Sequence, residues 1–368
     1  MKVVISGGGT GGHIFPAIAI ADAIRLRLPD ATILFVGASG KMEMEKVPAA
    51  GYNIKGLPVA GFQRKWSYRN ILFPFRLIDS MIKGWFILRQ FRPDLAIGVG
   101  GYASGPVLKI ASWMNIPTYL QEQNSFAGVT NQLLARKASL IFVAYNGMEK
   151  FFPQNKIVLS GNPVRKDIES LLVSRSEAIY KLGLDPEKKT ILFFGGSLGA
   201  KTINETVKRA IDNGELDTYN IIWQIGKNNF EQYQQYQSLS PNWVAKAFME
   251  DMPTVYAAAD LVISRAGALT ISELAILNKA CILIPSPYVA EDHQTVNAKS
   301  LEAGSAAIVI EDKLAGTHLI PAIQKLISNT NQLAIMQKSI AGFAFPDAAG
   351  FIADKIIAHQ SKLQARWN

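Results

Sequence analysis

The chain has 368 residues, more than the roughly 250–300 at which one hydrophobic core stops growing, and 49% of them are apolar; this excludes a disordered or fibrous protein and predicts two domains. A single cysteine, Cys281, excludes a disulfide framework, and the apolar start is broken at Gly7, too early for a secretory leader, so an intracellular chain is expected. The net charge of +9 sits in residues 1–163, with 18 Lys and Arg against 8 Asp and Glu, while the remainder carries 20 against 21, a one-sided balance that predicts an anionic partner such as nucleic acid, an acidic membrane surface or a phosphorylated substrate.

The first strand, Val3-Val4-Ile5, runs directly into Gly7-Gly8-Gly9-Thr10-Gly11-Gly12-His13. Glycines let the backbone turn sharply and approach a ligand, and a helix opening near His13 presents unpaired N–H groups and a positive dipole end, so the segment predicts a loop that binds an anion or a sugar hydroxyl. Gly7, Gly9 and Gly12 also fit the dinucleotide fingerprint G-x-G-x-x-G, which needs an acidic residue at the end of the second strand. That strand, Thr32-Ile33-Leu34-Phe35-Val36, ends in Gly37-Ala38, so a nicotinamide or flavin site is disfavoured. No Gly-Lys-Ser/Thr follows the first loop, which excludes a Walker site. By itself the glycine fingerprint fits a tight strand-to-helix turn equally well.

Residues 62–92 hold seven bases, Arg64, Lys65, Arg69, Arg76, Lys83, Arg89 and Arg92, against one acid, Asp79, interleaved with Trp66, Ile71, Leu72, Phe73, Phe75, Ile78, Ile82, Trp85 and Phe86. No apolar run reaches the roughly 18 residues that span a bilayer. The segment reads either as an amphipathic helix after Pro74 with its aromatics in the core, or as a helix lying on an anionic membrane surface.

Further strands are expected near 94–99, 117–121, 140–143 and 157–159, separated by helical stretches, the βαβ pattern of a parallel sheet. After a boundary near Gly161-Asn162-Pro163 the pattern restarts: Thr190–Phe194 leads into Gly195-Gly196-Ser197-Leu198-Gly199-Ala200 and a helix from about Lys201, with strands near 221–225, 243–248, 260–264, 280–284 and 306–310. The predicted class is α/β, two Rossmann-like doubly wound domains facing a cleft, 1–163 and 164–344. The last helix, within about 345–368, is open to packing on either half, including back on the first.

In the second half, Ser264 to Glu273 must turn from strand to helix with small residues at the turn. That leaves room for a diphosphate at the helix start and puts Glu273 one turn in, as a ribose acceptor or as a simple complement to the dipole. Glu291-Asp292-His293-Gln294-Thr295-Val296-Asn297 forms a polar stretch after a strand, where sugar contacts are commonly placed. Asp292 and His293 lack a second ligand cluster of suitable spacing, so no metal is expected.

Seven motifs in order, Gly9-Thr10-Gly11-Gly12-His13, Gly100-Gly101-Tyr102-Ala103-Ser104-Gly105-Pro106, Glu122-Gln123-Asn124, Gly161-Asn162-Pro163-Val164-Arg165, Gly195-Gly196-Ser197, the Gly267–Glu273 run and His293-Gln294 before Asn297-Ala298, resemble the MurG family nearly end to end. That family comprises inverting glycosyltransferases of the B type. They move N-acetylglucosamine from its UDP donor to the muramyl 4-hydroxyl of undecaprenyl-pyrophosphoryl-muramyl-pentapeptide, in cell-wall synthesis. The resemblance implies donor contacts at Thr10, Gly11, Gly12, Asn124, Arg165, Ser197, Met249, Ala268, Leu269, Thr270, Ile271, Ser272, Glu273 and Gln294, with Met249 meeting uracil mainly through its backbone. It implies acceptor contacts at Tyr102, Ser104 and Gly105, no cofactor, peripheral attachment to the anionic inner leaflet on the cytoplasmic side, and cell-wall synthesis and division proteins as company. Two positions depart from the family pattern: Gln121 stands where many relatives have histidine, and Leu198 where some have glutamine.

An inverting transfer needs one base. His13 is the candidate, because an imidazole suits proton transfer near neutral pH, with Glu122 as the second choice and a purely structural role for His13 as the alternative. Backbone amides and the helix start at Gly267–Leu269, with Ser197 and Arg165, are expected to stabilise the leaving diphosphate in place of a metal. The competing readings are a UDP-sugar 2-epimerase of similar fold, which needs no acceptor motif at Gly100–Pro106, and a basic nucleic-acid-binding protein, for which no helix-turn-helix, RNP-like or zinc pattern appears.

Overall fold

In the computed structural model, residues 1–59, 73–289 and 292–365 are described. Two compact units result: residues 1–165 with 347–368, and residues 166–346.

The first unit is a seven-stranded parallel sheet ordered β3-β2-β1-β4-β5-β6-β7. Its strands are β1 (Lys2–Ser6), β2 (Thr32–Ala38), β3 (Asn53–Leu57), β4 (Leu95–Gly98), β5 (Thr118–Glu122), β6 (Leu140–Val143) and β7 (Ile157–Leu159). The crossover helices are α1 (Gly11–Arg27), α2 (Glu43–Ala49), α3 (Phe73–Phe91), α4 (Ser104–Trp113) and α5 (Val129–Ala135). β1 sits centrally, pairing Val3 with both Ile33 and Leu95, and its Val3, Val4 and Ile5 are fully buried because helices cover both faces of the sheet.

Edge strand β3 has no counterpart among the sequence expectations. Its residues, Asn-Ile-Lys-Gly-Leu, alternate between exposed and half-buried until Leu57, and a short polar strand containing glycine carries little periodic signal; pairing with β2 makes it a strand.

The second unit is a six-stranded parallel sheet ordered β10-β9-β8-β11-β12-β13. It contains β8 (Thr190–Phe194), β9 (Asn220–Gln224), β10 (Trp243–Lys246), β11 (Leu261–Ser264), β12 (Cys281–Leu283) and β13 (Ile308–Val309). Its helices are α6 (Lys166–Glu169), α7 (Arg175–Leu182), α8 (Lys201–Asp212), α9 (Phe230–Tyr233), α10 (Met252–Ala258), α11 (Ala268–Ile276), α12 (His293–Ala303), α13 (Ala315–Ile327) and α14 (Thr330–Ala341). α7 opens with a complete capping box, Ser174 with Glu177, and closes on Gly183 in the left-handed conformation.

The last helix, α15 (Ala348–Gln364), belongs to the first unit. Ile352 and Ile356 are fully buried in the core that holds Ile14, Ile20 and Ile24 of α1, each contributing about 1.5–3 kcal/mol by removal from water. Arg27 at the end of α1 donates to Asp354 (Nη2 to Oδ2, 3.0 Å), and the Tyr119 hydroxyl lies 2.8 Å from His359 Nδ1.

Candidate active site

Each sheet carries a glycine loop after its first strand, at the carboxyl edge where α/β sheets bind ligands. In the first, Gly8 has φ +151°, and a Cβ there would collide with the Glu43 carboxylate. Glu43, 1% exposed at the start of α2, accepts from Gly9 N (3.0 Å, Oε2) and from Ala38 N (2.9 Å, Oε1), tying the loop to the end of β2. The expectation of a general anion-binding loop is therefore corrected at Gly9: its amide already serves a carboxylate, whose charge repels a second anion. The loop's remaining donors are at the start of α1, where the Thr10 side chain makes no cap hydrogen bond and the first-turn amides of Gly11 and Gly12 keep their outward direction. Pro16 inside α1 also deprives the Gly12 carbonyl of its helical donor.

His13 stands on this first turn. Its Nδ1 lies 3.1 Å from Gln123 Oε1, and Gly100, at φ +83°, leaves room for the ring, since a Cβ there would come within 2.9 Å of His13 Cε1. Gly101, at φ +84°, abuts the Gly8 backbone for the same reason, so the Gly100-Gly101 pair lets the loop after β4 close against the first glycine loop. Protein atoms crowding the ring lower its pKa below the ordinary histidine value; nearby Glu122, Gln123, the Val99 carbonyl and Glu43 oppose that shift without overcoming it. A neutral imidazole results.

Glu122, at the end of β5 and 2% exposed, is held by four donors: Asn124 N (3.1 Å) and Nδ2 (3.4 Å) on Oε1, Gly128 N (2.9 Å) and Asn131 Nδ2 (2.9 Å) on Oε2. These bonds shape the loop carrying Asn124 and leave the carboxylate poorly placed to move in proton transfer. Ser104 donates to the Gly101 carbonyl (2.9 Å) at the start of α4, beside the exposed Tyr102, and the Gly105 Cα faces Thr130. Arg165 places its guanidinium 5.1 Å from the Phe15 ring centroid, next to α1 and in the first unit.

In the second unit, Gly195 is packed so tightly on Ala200 that no Cβ fits, and Gly199 (φ +88°) abuts the Ile225 carbonyl. The loop is backed by Gln224, which donates to Gly196 O (3.1 Å) and accepts from the buried Met249 amide (2.9 Å). Ser197 is half-buried and Leu198 points outward. α11 begins at Gly267, in extended conformation with no side-chain cap, so its first amides stay directed along the axis. Ala268 and Ile271 pack inward; Leu269 and Thr270 are half-buried, and Ser272 donates back to the Ala268 carbonyl. Glu273 accepts from the Tyr256 hydroxyl (2.8 Å), and Gln294 Oε1 accepts from Ser286 N (2.9 Å). No cluster of three or more His, Cys, Asp or Glu capable of holding a metal is found among the described residues.

The basic, aromatic segment splits. Arg64, Lys65, Trp66, Arg69, Ile71 and Leu72 lie outside the described residues, whereas α3 is an inverted amphipathic helix. Small Ser80 and Gly84, with Leu88, face inward, while Phe75 (70% exposed), Ile78, Ile82 and Phe86 (60%) face out. Ile78, Met81, Ile82, Trp85, Phe86 and Trp113 of α4 line an apolar hollow of about 520 Å³. Arg89 stacks over Trp85 at 5.0 Å and Lys109 over Trp113 at 5.4 Å, so bases rim the apolar patch. No helix among the described residues is long and apolar enough to cross a membrane.

Glu43 escaped the sequence reading because Met-Glu-Met-Glu looks like a solvated helix start. Gln123 escaped because an amide between Glu122 and Asn124 shows no chemistry until its neighbours are known; Gly8 and Gly37, which leave the space that Glu43 fills, were the available signal.

Residues 3–143 match the glycosyltransferase family 28 N-terminal domain and residues 190–351 its C-terminal domain. The chain is 54% identical to the UDP-N-acetylglucosamine–N-acetylmuramyl-(pentapeptide) pyrophosphoryl-undecaprenol N-acetylglucosamine transferase of Bacteroides fragilis, over 97% of this chain and 95% of that protein. It is 49% identical to the transferase of the same description from Flavobacterium psychrophilum, over 97% of each. Among solved structures it is similar to Acinetobacter baumannii MurG, with a TM-score of 0.74 and 29% identity over 97% and 99% of the two chains. A UDP-N-acetylglucosamine 2-epimerase superposes with a TM-score of 0.70 at 11% identity over 98% and 97%, which is a likeness of fold alone.

Proposed function

The chain belongs to the MurG family of glycosyltransferases, and from that premise we propose that it moves N-acetylglucosamine from UDP-N-acetylglucosamine to the 4-hydroxyl of undecaprenyl-pyrophosphoryl-muramyl-pentapeptide, with inversion to a β-1,4 link. The observation that carries the mechanism is the His13 imidazole on the first turn of α1, with its Nδ1 3.1 Å from Gln123 Oε1 and its pKa lowered by burial. The muramyl oxygen attacks the anomeric carbon from the face opposite the diphosphate. Its proton passes to His13 as the new C–O bond forms, and the bond from the anomeric carbon to the diphosphate oxygen breaks with its electrons leaving on UDP. Glu122, clamped by four donors, shapes the Asn124 loop and keeps negative charge near the imidazolium that forms.

Departure of UDP develops charge on the diphosphate. The uncapped start of α11 at Gly267–Leu269 and Ser197 are assigned to supply dipole and hydrogen bonds for it, and Arg165 to supply a positive charge. Ala268 through Glu273 and Gln294 are assigned to the ribose, diphosphate and sugar, with Thr10, Gly11, Gly12 and Asn124 completing the donor contacts. The Met249 amide already donates to Gln224, so the proposed backbone contact to uracil is left to its carbonyl. Tyr102, Ser104 and Gly105 are assigned to the acceptor, with Ser104 acting through the Gly101 turn that it holds. Transfer is expected to persist in excess chelator; complete, metal-reversible loss overturns that assignment.

The apolar patch of α3 and Trp113, rimmed by Arg89 and Lys109, supports peripheral binding to an anionic membrane leaflet, where the lipid-linked acceptor resides. The deciding experiment is transfer of labelled N-acetylglucosamine to a short-chain analogue of the lipid-linked muramyl-pentapeptide, with hydrolysis and epimerisation of the donor as controls. Acceptor-dependent β-1,4 product is expected, and epimerisation without transfer refutes the proposal.

A further inference from the structure

Behind His13 lies a chain of three buried amides, Gln123, Gln121 and Asn162, that are 2%, 0% and 2% exposed. An amide is ambiguous between its donor and acceptor ends, but a backbone carbonyl only accepts, so each carbonyl that such a chain meets fixes its sense. Two carbonyls do so here. Asn162 directs Nδ2 to the Gln123 carbonyl (3.1 Å), which leaves its Oδ1 to accept from Gln121 Nε2 (3.1 Å). Gln121 Oε1 then accepts from Gln123 Nε2, whose other hydrogen goes to the Val99 carbonyl (2.9 Å). Both anchors, at opposite ends, impose the same polarity: the end of Gln123 that faces His13 Nδ1 at 3.1 Å is its oxygen. An oxygen there requires a hydrogen on Nδ1.

We infer that Gln123 is a positioning residue that holds His13 in the tautomer with its hydrogen on Nδ1 and its lone pair on Nε2, and that Gln121 and Asn162 lock Gln123 in the only orientation that does so. The inference deepens the reading of His13 as base, and rests on it for its catalytic consequence. The wrong tautomer offers the acceptor hydroxyl an N–H in place of a lone pair and cannot take its proton. A histidine at 121 has two tautomers and a charge of its own, whereas an amide has neither, so in this chain nothing behind Gln123 titrates or reverses the sense of the chain. The acidic groups near His13, Glu122 and Glu43, favour its protonated form.

The test combines a spectrum with kinetics. In histidine-15N-labelled full-length protein, with His13 assigned by its loss in His13→Ala, long-range proton–nitrogen spectra at neutral pH are expected to show Nδ1 protonated and Nε2 bare. A protonated Nε2, or two averaged nitrogens, overturns the inference without any variant having to fold. In Gln123→Met the two nitrogens are expected to move toward averaging, with kcat down about 10–100-fold, a part of what a general base supplies, and KM for UDP-N-acetylglucosamine within about twofold. Gln121→His, whose ring nitrogen can still accept from Gln123, is expected to keep kcat within about threefold, whereas Gln121→Leu loses more; equal behaviour of the two overturns the role of Gln121. If the spectrum changes in Gln123→Met while kcat does not, the tautomer lock stands and the base assignment falls. If neither changes, the lock itself falls.

Discussion

The two glycine loops share a pattern, strand then glycines then helix, and differ in what stands behind them. The first is backed by a buried carboxylate, Glu43, that consumes the Gly9 amide; the second is backed by a neutral amide, Gln224, that donates to the Gly196 carbonyl and accepts from Met249. A carboxylate against the first loop disfavours an anion and supports an imidazolium, as the raising effect of Glu43 on His13 shows. The neutral amide behind the second loop adds no charge there. On the proposed assignment the same glycine signature serves proton transfer in one unit and diphosphate binding in the other, with backing residues distant in sequence making the difference.

That division of labour breaks most visibly at His13. His13→Ala is expected to lower kcat by about 10²–10⁴-fold with donor KM nearly unchanged, read by single-turnover transfer at saturating substrates. Turnover near that of the parent removes the proton-transfer role from the first loop. Glu43→Gln keeps the shape but turns an N–H toward one of two backbone donors; it is expected to cost about 1–3 kcal/mol of stability by denaturant unfolding and to lower kcat more than it raises donor KM. An effect on donor KM alone would mean that the first loop is the diphosphate site after all.

On the other side of the comparison, Gln224→Leu is expected to raise the KM for UDP-N-acetylglucosamine about tenfold, the equivalent of a hydrogen-bond loss of about 1.4 kcal/mol, with kcat preserved. The pH profile sharpens the contrast further. Burial lowers the His13 pKa, so the active neutral ring persists below the ordinary histidine value of 6.5, and the acid limb of kcat/KM is expected under that pH and is expected to vanish in His13→Ala. The sign for stability follows: the unfolded chain binds this proton more tightly than the folded one, so the His13 contribution to stability declines as pH falls through 6.5. The smallest catalytic effect belongs to α3. Ile82→Glu with Phe86→Glu is expected to reduce binding to anionic vesicles at least severalfold while leaving transfer to a short-chain soluble acceptor unchanged; equal loss in both assays would mean the patch is structural.

Much of the fold was legible because buried parallel strands are short apolar runs, and among the described residues every strand but β3 carries one. Edge strand β3 was not, since its Asn-Ile-Lys-Gly-Leu becomes a strand only by pairing with β2. The packing of α15 was open for a related reason: its apolar stripe matches any core, and Ile352 and Ile356 meet α1 only after the chain has returned. At the site, motif spacing pointed to His13, Glu122 and the start of α11. It did not reveal that Glu122 is clamped by four donors, or that the outward stripe of α3 is the apolar one, because helical periodicity marks a stripe without saying which way it faces.

The sequence by itself determined the two α/β halves, the paired glycine loops, the family and the candidate base, since each is written in local pattern and in motif order. Only the tertiary structure decided that Glu43 stands behind the first loop and how the amides behind His13 are oriented. Those properties belong to contacts between residues 34, 110 and 41 positions apart, Gly9 with Glu43, His13 with Gln123 and Gln121 with Asn162, and a hydrogen bond's direction exists only once both partners are in place.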